Sequence, residues 1–347
     1  MKQFSELLGL NRTVFWGLTR WQLGVMLGVA AYVGLAFLVF GVAFRYLCVG
    51  AILIGLAASG RAQAGRFLRD WFPLLLFWIG YDALRGFADE ILPRVAMTFP
   101  YQLETALFGW LAEGQVLACI SLAVLEGSLW RTPLFATADV FYWSHFVIVP
   151  SYMLYLWWQP PTSARFRRLV YGLTVLHLIT LATYFLYPAA PPWYVFYFGF
   201  DQPSSAFLKN PAIFNTPVLF KTLWAANPNW FAAIPSLHGA YPVLLFLLIA
   251  PSGRARRWVA YYGVCIWLAT IVRGHHYIID LILGALYALP SAWLAKRWVK
   301  EPCASPKSWP TTPTRWTALK NDAANEKKEA LPPRTRSARP KGVSTVS

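Results

Sequence analysis

Five histidines occur in this chain, at 145, 177, 238, 275 and 276, and their neighbours decide what chemistry each can do. His276 and Asp280 are four residues apart at the start of an apolar run, so a helix there would place them on one face. The carboxylate could then accept hydrogen from one ring nitrogen, fixing the tautomer and leaving the other nitrogen as a nucleophile. On its own the spacing also fits a structural helix pair. Pro235-Ser236-Leu237-His238 stands at the entry to a second apolar run, where serine suits a helix cap. Unpaired backbone N–H groups at such a start, together with the Ser236 hydroxyl, could cradle a phosphate, with His238 giving a proton to a leaving oxygen. The same residues also describe an ordinary capped helix.

Other polar residues in apolar surroundings are weaker candidates. Arg85, three residues after Asp82, is either a phosphate clamp or half of a helix-internal ion pair. His145 lines a cavity or packs in the core, and the isolated His177 reads as structural. His275 and Tyr277 flank His276, which allows substrate contact or support. No carboxylate cluster of metal-site type occurs, so neither a metal nor a cofactor is expected.

The elements that must hold these residues are membrane helices. Of 347 residues 57% are hydrophobic and 13% charged, far from an average soluble domain. Trp21–Phe44 contains no charge and matches the roughly 20 residues a bilayer crossing needs. It is too long for a cleaved signal peptide and lacks a small-residue cleavage site. Further apolar runs cover Leu47–Ala58, Trp71–Phe87, Pro133–Trp158, Leu169–Tyr187, Ser236–Ala250, Trp258–Val272 and Ile278–Trp293. The four cysteines are scattered, without pairing or metal-type spacing.

The formal charge of +16 is carried by clusters beside the apolar runs, at 61–69, 165–168, 254–257 and 296–300. That is the pattern of topology-setting loops, and nucleic acid is not an expected partner. With each cluster in the cytoplasm, both termini are cytoplasmic and the two histidine motifs meet on the non-cytoplasmic face. Leu103–Val124, with Glu104 and Glu113, fits a helix lying at the interface rather than a span. The expected fold is thus all-α, a polytopic bundle of about six to eight spans. It divides into a membrane hairpin at 1–70, a catalytic transmembrane domain at 71–300 and a tail at 301–347. The tail, with seven prolines and nine lysines or arginines, reads as disordered.

Together the two motifs resemble the phosphatidic acid phosphatase type 2 superfamily, whose members carry a Pro-Ser-x-His block followed by one ending His-x-x-x-Asp. Leu237 and the run His275-His276-Tyr277-x-x-Asp280-Leu281-x-x-Gly284 are similar to its inositol phosphorylceramide synthase branch. The likeness extends through Leu107-Phe108-Gly109, Tyr142-x-Ser144-His145-Phe146 and Tyr187-Pro188-Ala189-Ala190-Pro191-Pro192, over roughly residues 80–295. It implies an enzyme that moves phosphoryl groups between membrane lipids, His276 being the nucleophile, Asp280 its orienter and His238 the acid and later the base. A phosphatase using water as acceptor is the other outcome of the same machinery, and a non-catalytic transporter or scaffold is a reading of another class. Two positions depart from the pattern. Thr270 stands where the phosphatases have an arginine six residues before the nucleophile, leaving Arg273 to clamp phosphate. Trp193 stands where relatives of the branch often carry arginine.

Overall fold

The computed structural model describes residues 63–83, 87–158, 164–203, 229–248 and 253–300, with scattered positions between 13 and 57. Arg85, most of the two expected N-terminal spans and the whole 301–347 tail lie outside the described residues. A short antiparallel pair, β1 (Thr13–Phe15) and β2 (Leu18–Thr19), precedes the helices. Among the described residues, every regular element after it is helical.

The long helices are α1 (Ala64–Ala83), α5 (Arg131–Trp158), α6 (Ala164–Leu186), α8 (Leu237–Leu248), α9 (Gly253–Val272) and α10 (Ile278–Trp298). Between them lie shorter helices: α2 (Ala88–Ile91), α3 (Thr98–Phe108), α4 (Leu117–Leu125) and α7 (Pro192–Phe198). Among the described helices, α6 and α10 combine the length and apolarity of a bilayer crossing; α1, α5 and α9 match in length, with 20, 28 and 20 residues. Their outward faces are apolar too. Phe72, Leu76 and Ile79 on α1, Val147 and Ile148 on α5, and Leu286 and Leu289 on α10 are all exposed, as a lipid-facing surface requires and a water-facing one does not favour. A backbone in lipid must satisfy its own hydrogen bonds, which is why these runs become helices rather than strands.

The helices begin earlier than the apolar runs alone imply. α6 and α9 start at Ala164 and Gly253, so their first turns take in the basic clusters, and α10 continues to Trp298. Leu103–Val124 is two helices, α3 and α4, rather than one. The turn between them sits at Glu113 and Gly114, both with positive φ. Neither helix is long enough to cross a bilayer.

The main core joins α1, α5, α6, α8 and α10 through Phe67, Trp71, Met153, Trp157, Leu173, Leu244 and Ala288. Packing is closest between α8 and α10. A Cβ on Gly239 would run into the Leu281 carbonyl, and one on Gly284 into the Ser236 carbonyl. Two glycines therefore let the helices that carry the histidine motifs touch backbone to backbone, the close approach that small residues permit in membrane bundles.

Candidate functional site

The two motifs converge at the amino ends of α8 and α10. The Ser236 N–H donates to the Asp280 carbonyl at 3.0 Å, tying one helix start to the other. Ser236 caps α8, accepting the Gly239 N–H on its hydroxyl at 3.3 Å. The expected cap is therefore present, while Pro235 sits before the helix rather than in its first turn.

His276 is not on a helix face. It lies in the turn Arg273–Tyr277, and α10 begins two residues later. The contact with Asp280 survives because Asp280, in the first turn, reaches back: its Oδ2 accepts the Tyr277 N–H at 2.9 Å and lies 3.4 Å from His276 Nδ1. A nearer acceptor for that nitrogen is the Ala233 carbonyl at 3.1 Å. A carbonyl cannot donate, so His276 Nδ1 carries the hydrogen and Nε2 keeps its lone pair. His276 Nε2 faces His238 Nδ1 at 3.2 Å, so that nitrogen of His238 is the donor. Both rings are buried. His276 lies outside the spanning helices, and burial pushes its pKa down to about 3, against the Ala233 hydrogen bond that raises it.

Around this pair the aromatic packing is tight. Tyr142 stacks on His238 with ring centres 4.0 Å apart and lies 4.8 Å from the His275 ring. His145 stands edge-on to His238 at 4.5 Å, its Nδ1 bonded to the Tyr142 carbonyl. His177 is one layer further out, on Tyr241 at 2.8 Å and stacked against Phe77, a packing role as expected. Tyr277 is fully buried in an apolar cluster with Val116, Ala118 and Ile279.

Arg273 comes to the site without a free choice of direction. Its Nε donates to Asp139 Oδ1 at 2.8 Å, the guanidinium lies over Phe135 at 4.4 Å, and Nη2 is buried without a hydrogen-bond partner. Burial lowers the Arg273 pKa and Asp139 opposes that shift. The turn that carries it is fixed from several sides. Gly274 has a φ of +66° and packs against Leu122 and Trp193, and the Trp193 N–H donates to the Gly274 carbonyl at 2.8 Å. Trp193 is thus a buried wall of the site. Behind it, the 96, 189 and 232 positions are joined by parallel bridges, next to the Ala233 carbonyl that His276 reaches.

Three residues around the motifs were missed by the sequence reading. Asp139 is the sole charged side chain in Pro133–Trp158, a signal in itself for an intramembrane carboxylate. Glu104 is 1% exposed and accepts the Ile278 and Ile279 N–H groups at 3.0 and 3.1 Å. Tyr142 carried no hint beyond its place in a motif.

Comparison with known proteins identifies the family. A family model described as the PAP2 superfamily matches residues 119–294, which contain both histidine blocks and Asp139. The chain belongs to the PAP2 superfamily. Among PAP2 relatives, the phosphoinositol dihydroceramide synthase of Bacteroides thetaiotaomicron is 31% identical over 288 residues, covering 72% of this chain and 87% of the relative. The inositol phosphorylceramide synthase of Candida albicans is 25% identical, over 78% of this chain and 57% of its own. The inositol phosphorylceramide synthase catalytic subunit aur1 of Schizosaccharomyces pombe is 27% identical over 40% of this chain and 34% of its own. No solved structure matches this PAP2 chain significantly.

Proposed function

We propose that this protein, an integral membrane lipid phosphotransferase, moves a phosphoinositol or similar headgroup phosphate from a donor phospholipid to a ceramide-like lipid alcohol. The observation that carries the reading is the histidine pair: His276 presents a lone pair on Nε2 beside a proton-bearing nitrogen of His238. The 87% coverage of a phosphoinositol dihydroceramide synthase supports the choice of headgroup and acceptor.

In the first half-reaction His276 Nε2 forms a bond to phosphorus, the bond from phosphorus to the diacylglycerol oxygen breaks, and His238 gives that oxygen its proton. In the second, the acceptor hydroxyl loses its proton to His238, its oxygen bonds to phosphorus, and the bond to His276 breaks. The Nε2 to Nδ1 contact at 3.2 Å must open to admit the phosphate. An anionic phosphate beside His238 favours the imidazolium it needs as an acid. Ala233 and Asp280 hold the His276 tautomer. Arg273 and the amino end of α8 with Ser236 bind the phosphate, with Arg85 a further cation; His145, His275 and Tyr277 support the cavity.

The topology proposed with it has about six to eight spans, both termini in the cytoplasm and the site on the non-cytoplasmic face. Supplying the purified protein with inositol-labelled phosphatidylinositol, with and without ceramide, tests the reading. Label appears on ceramide in the wild type and not in His276→Ala. Release of inositol phosphate to water at the same rate with or without ceramide would assign a phosphatase instead.

A further inference from the structure

Glu104 is placed where a helix amino end normally takes an anion. The first N–H groups of α10 have no partner within the helix, and the positive end of its dipole favours a negative charge. Both Glu104 carboxylate oxygens are used there, Oε1 by Ile278 N–H and Oε2 by Ile279 N–H. Asp280 takes the N–H of Tyr277, just before them. Three consecutive backbone donors, 277 to 279, are thus closed by two carboxylates. One belongs to α10 itself and the other reaches across from α3, 174 residues earlier in the chain. Glu104 is also 1% exposed, and burying a carboxylate with no other purpose is costly.

The consequence for the chemistry is geometric. His276 lies two residues before α10 and has no helical hydrogen bond of its own to hold it. Its position relative to His238 depends on where the first turn of α10 begins. Asp280 can reach back to both Tyr277 and His276 only if that turn keeps its register. The same bonds leave the amino end of α10 unable to serve as the phosphate cradle, which falls instead to α8.

We propose that Glu104 is a positioning residue: by closing the amino end of α10 from the interfacial helix α3, its carboxylate holds His276 and Asp280 in register with His238. The proposal rests on the phosphotransferase reading for its effect on turnover, and on the structure alone for its effect on α10.

Two measurements on the detergent-purified full chain test it, on Glu104→Gln, Glu104→Asp and Glu104→Ala. Amide hydrogen exchange of peptides covering 275–283 needs no substrate. It should accelerate in Glu104→Gln and Glu104→Ala while peptides from α5 and α6 keep the wild-type rate. Turnover of phosphatidylinositol with ceramide should show kcat lowered about 100-fold in Glu104→Ala with KM nearly unchanged, as small misplacements of reacting groups produce. Glu104→Gln, which keeps one acceptor oxygen but turns an NH2 toward a backbone donor, should fall less, and Glu104→Asp should recover part of the loss. If the wild type turns over neither lipid, the functional reading fails, and the exchange experiment alone decides for or against Glu104. If Glu104→Ala does not fold, Glu104→Gln carries the test. Unchanged exchange at 275–283, or a loss confined to KM with kcat intact, would overturn the proposal.

Discussion

Proton positions at the histidine pair follow from the acceptors around it. The Ala233 carbonyl forces the hydrogen of His276 onto Nδ1, and the reactive lone pair onto Nε2. Asp280 adds a second hold on that ring and on the Tyr277 N–H, so Asp280→Asn should lower kcat by about 100-fold or more through a displaced ring, without the complete loss expected of His276→Ala or His238→Ala. Steady-state kinetics on the three variants gives the order. His276 acts only when neutral, that is above its own pKa, and burial holds that value near 3. Lowering the pH from 7 to 5 should therefore leave its ring uncharged. Histidine-selective 15N NMR of the detergent-solubilised protein checks this, and a His276 titration with a midpoint near the ordinary histidine pKa would contradict it. The Arg273–Asp139 pair is of the buried kind, where removing one partner strands the other's charge. Asp139→Asn should destabilise the protein by about 3–5 kcal/mol, read as a lowered thermal midpoint. His238, His276 and Asp280 were candidates from sequence because each motif is local. Asp139 was not linked to Arg273, nor Glu104 to Ile278, because these pairs are separated by 134 and 174 residues and nothing in their own neighbourhoods names the partner.

Among the elements, α8 and α10 matter most, since each brings one motif and their contact sets the distance between the two histidines. That contact depends on Gly239 and Gly284, whose missing side chains leave room only for the facing backbone. Gly284→Ala should destabilise the bundle by about 1–3 kcal/mol and lower turnover, because a backbone carbonyl cannot move aside as a side chain can. A thermal unfolding series set beside kcat checks both. The long helices were legible from their apolar runs, although their starts were placed late because an arginine at the membrane boundary interrupts hydropathy without interrupting the helix. The break between α3 and α4 falls at the polar interruption Glu113-Gly114-Gln115, which was read as the polar side of one interfacial helix rather than as a turn. The His276 turn was read as helix because a spacing of four fits a helix face. A first-turn aspartate reaching back gives the same contact without one.

At the scale of the molecule, the site lies at one end of α10 and basic residues at the other. A helix of 21 residues spans about 30 Å, the thickness of a bilayer core. Arg168 Nε bonds the Val299 carbonyl at 2.7 Å, so the start of α6 and the end of α10 share that far side. In a cysteine-free background, a cysteine at the exposed Asp201 should react with an impermeant thiol reagent on intact cells, whereas one at Arg254 should react only after lysis. The reverse pattern would put the site in the cytoplasm. Asn229, on the same face as Asp201 by the sequence threading, is buried and unsuited to that labelling. The central claim is a covalent bond between His276 and the headgroup phosphate. Rapid quenching of purified protein mixed with inositol-labelled phosphatidylinositol in the absence of acceptor, followed by peptide mass spectrometry, tests it directly. An inositol-phosphoryl adduct is expected on the peptide containing His276, discharged on adding ceramide and missing from His276→Ala. Steady transfer of label to ceramide by the wild type with no adduct at any quench time, or by His276→Ala at an undiminished rate, would contradict it.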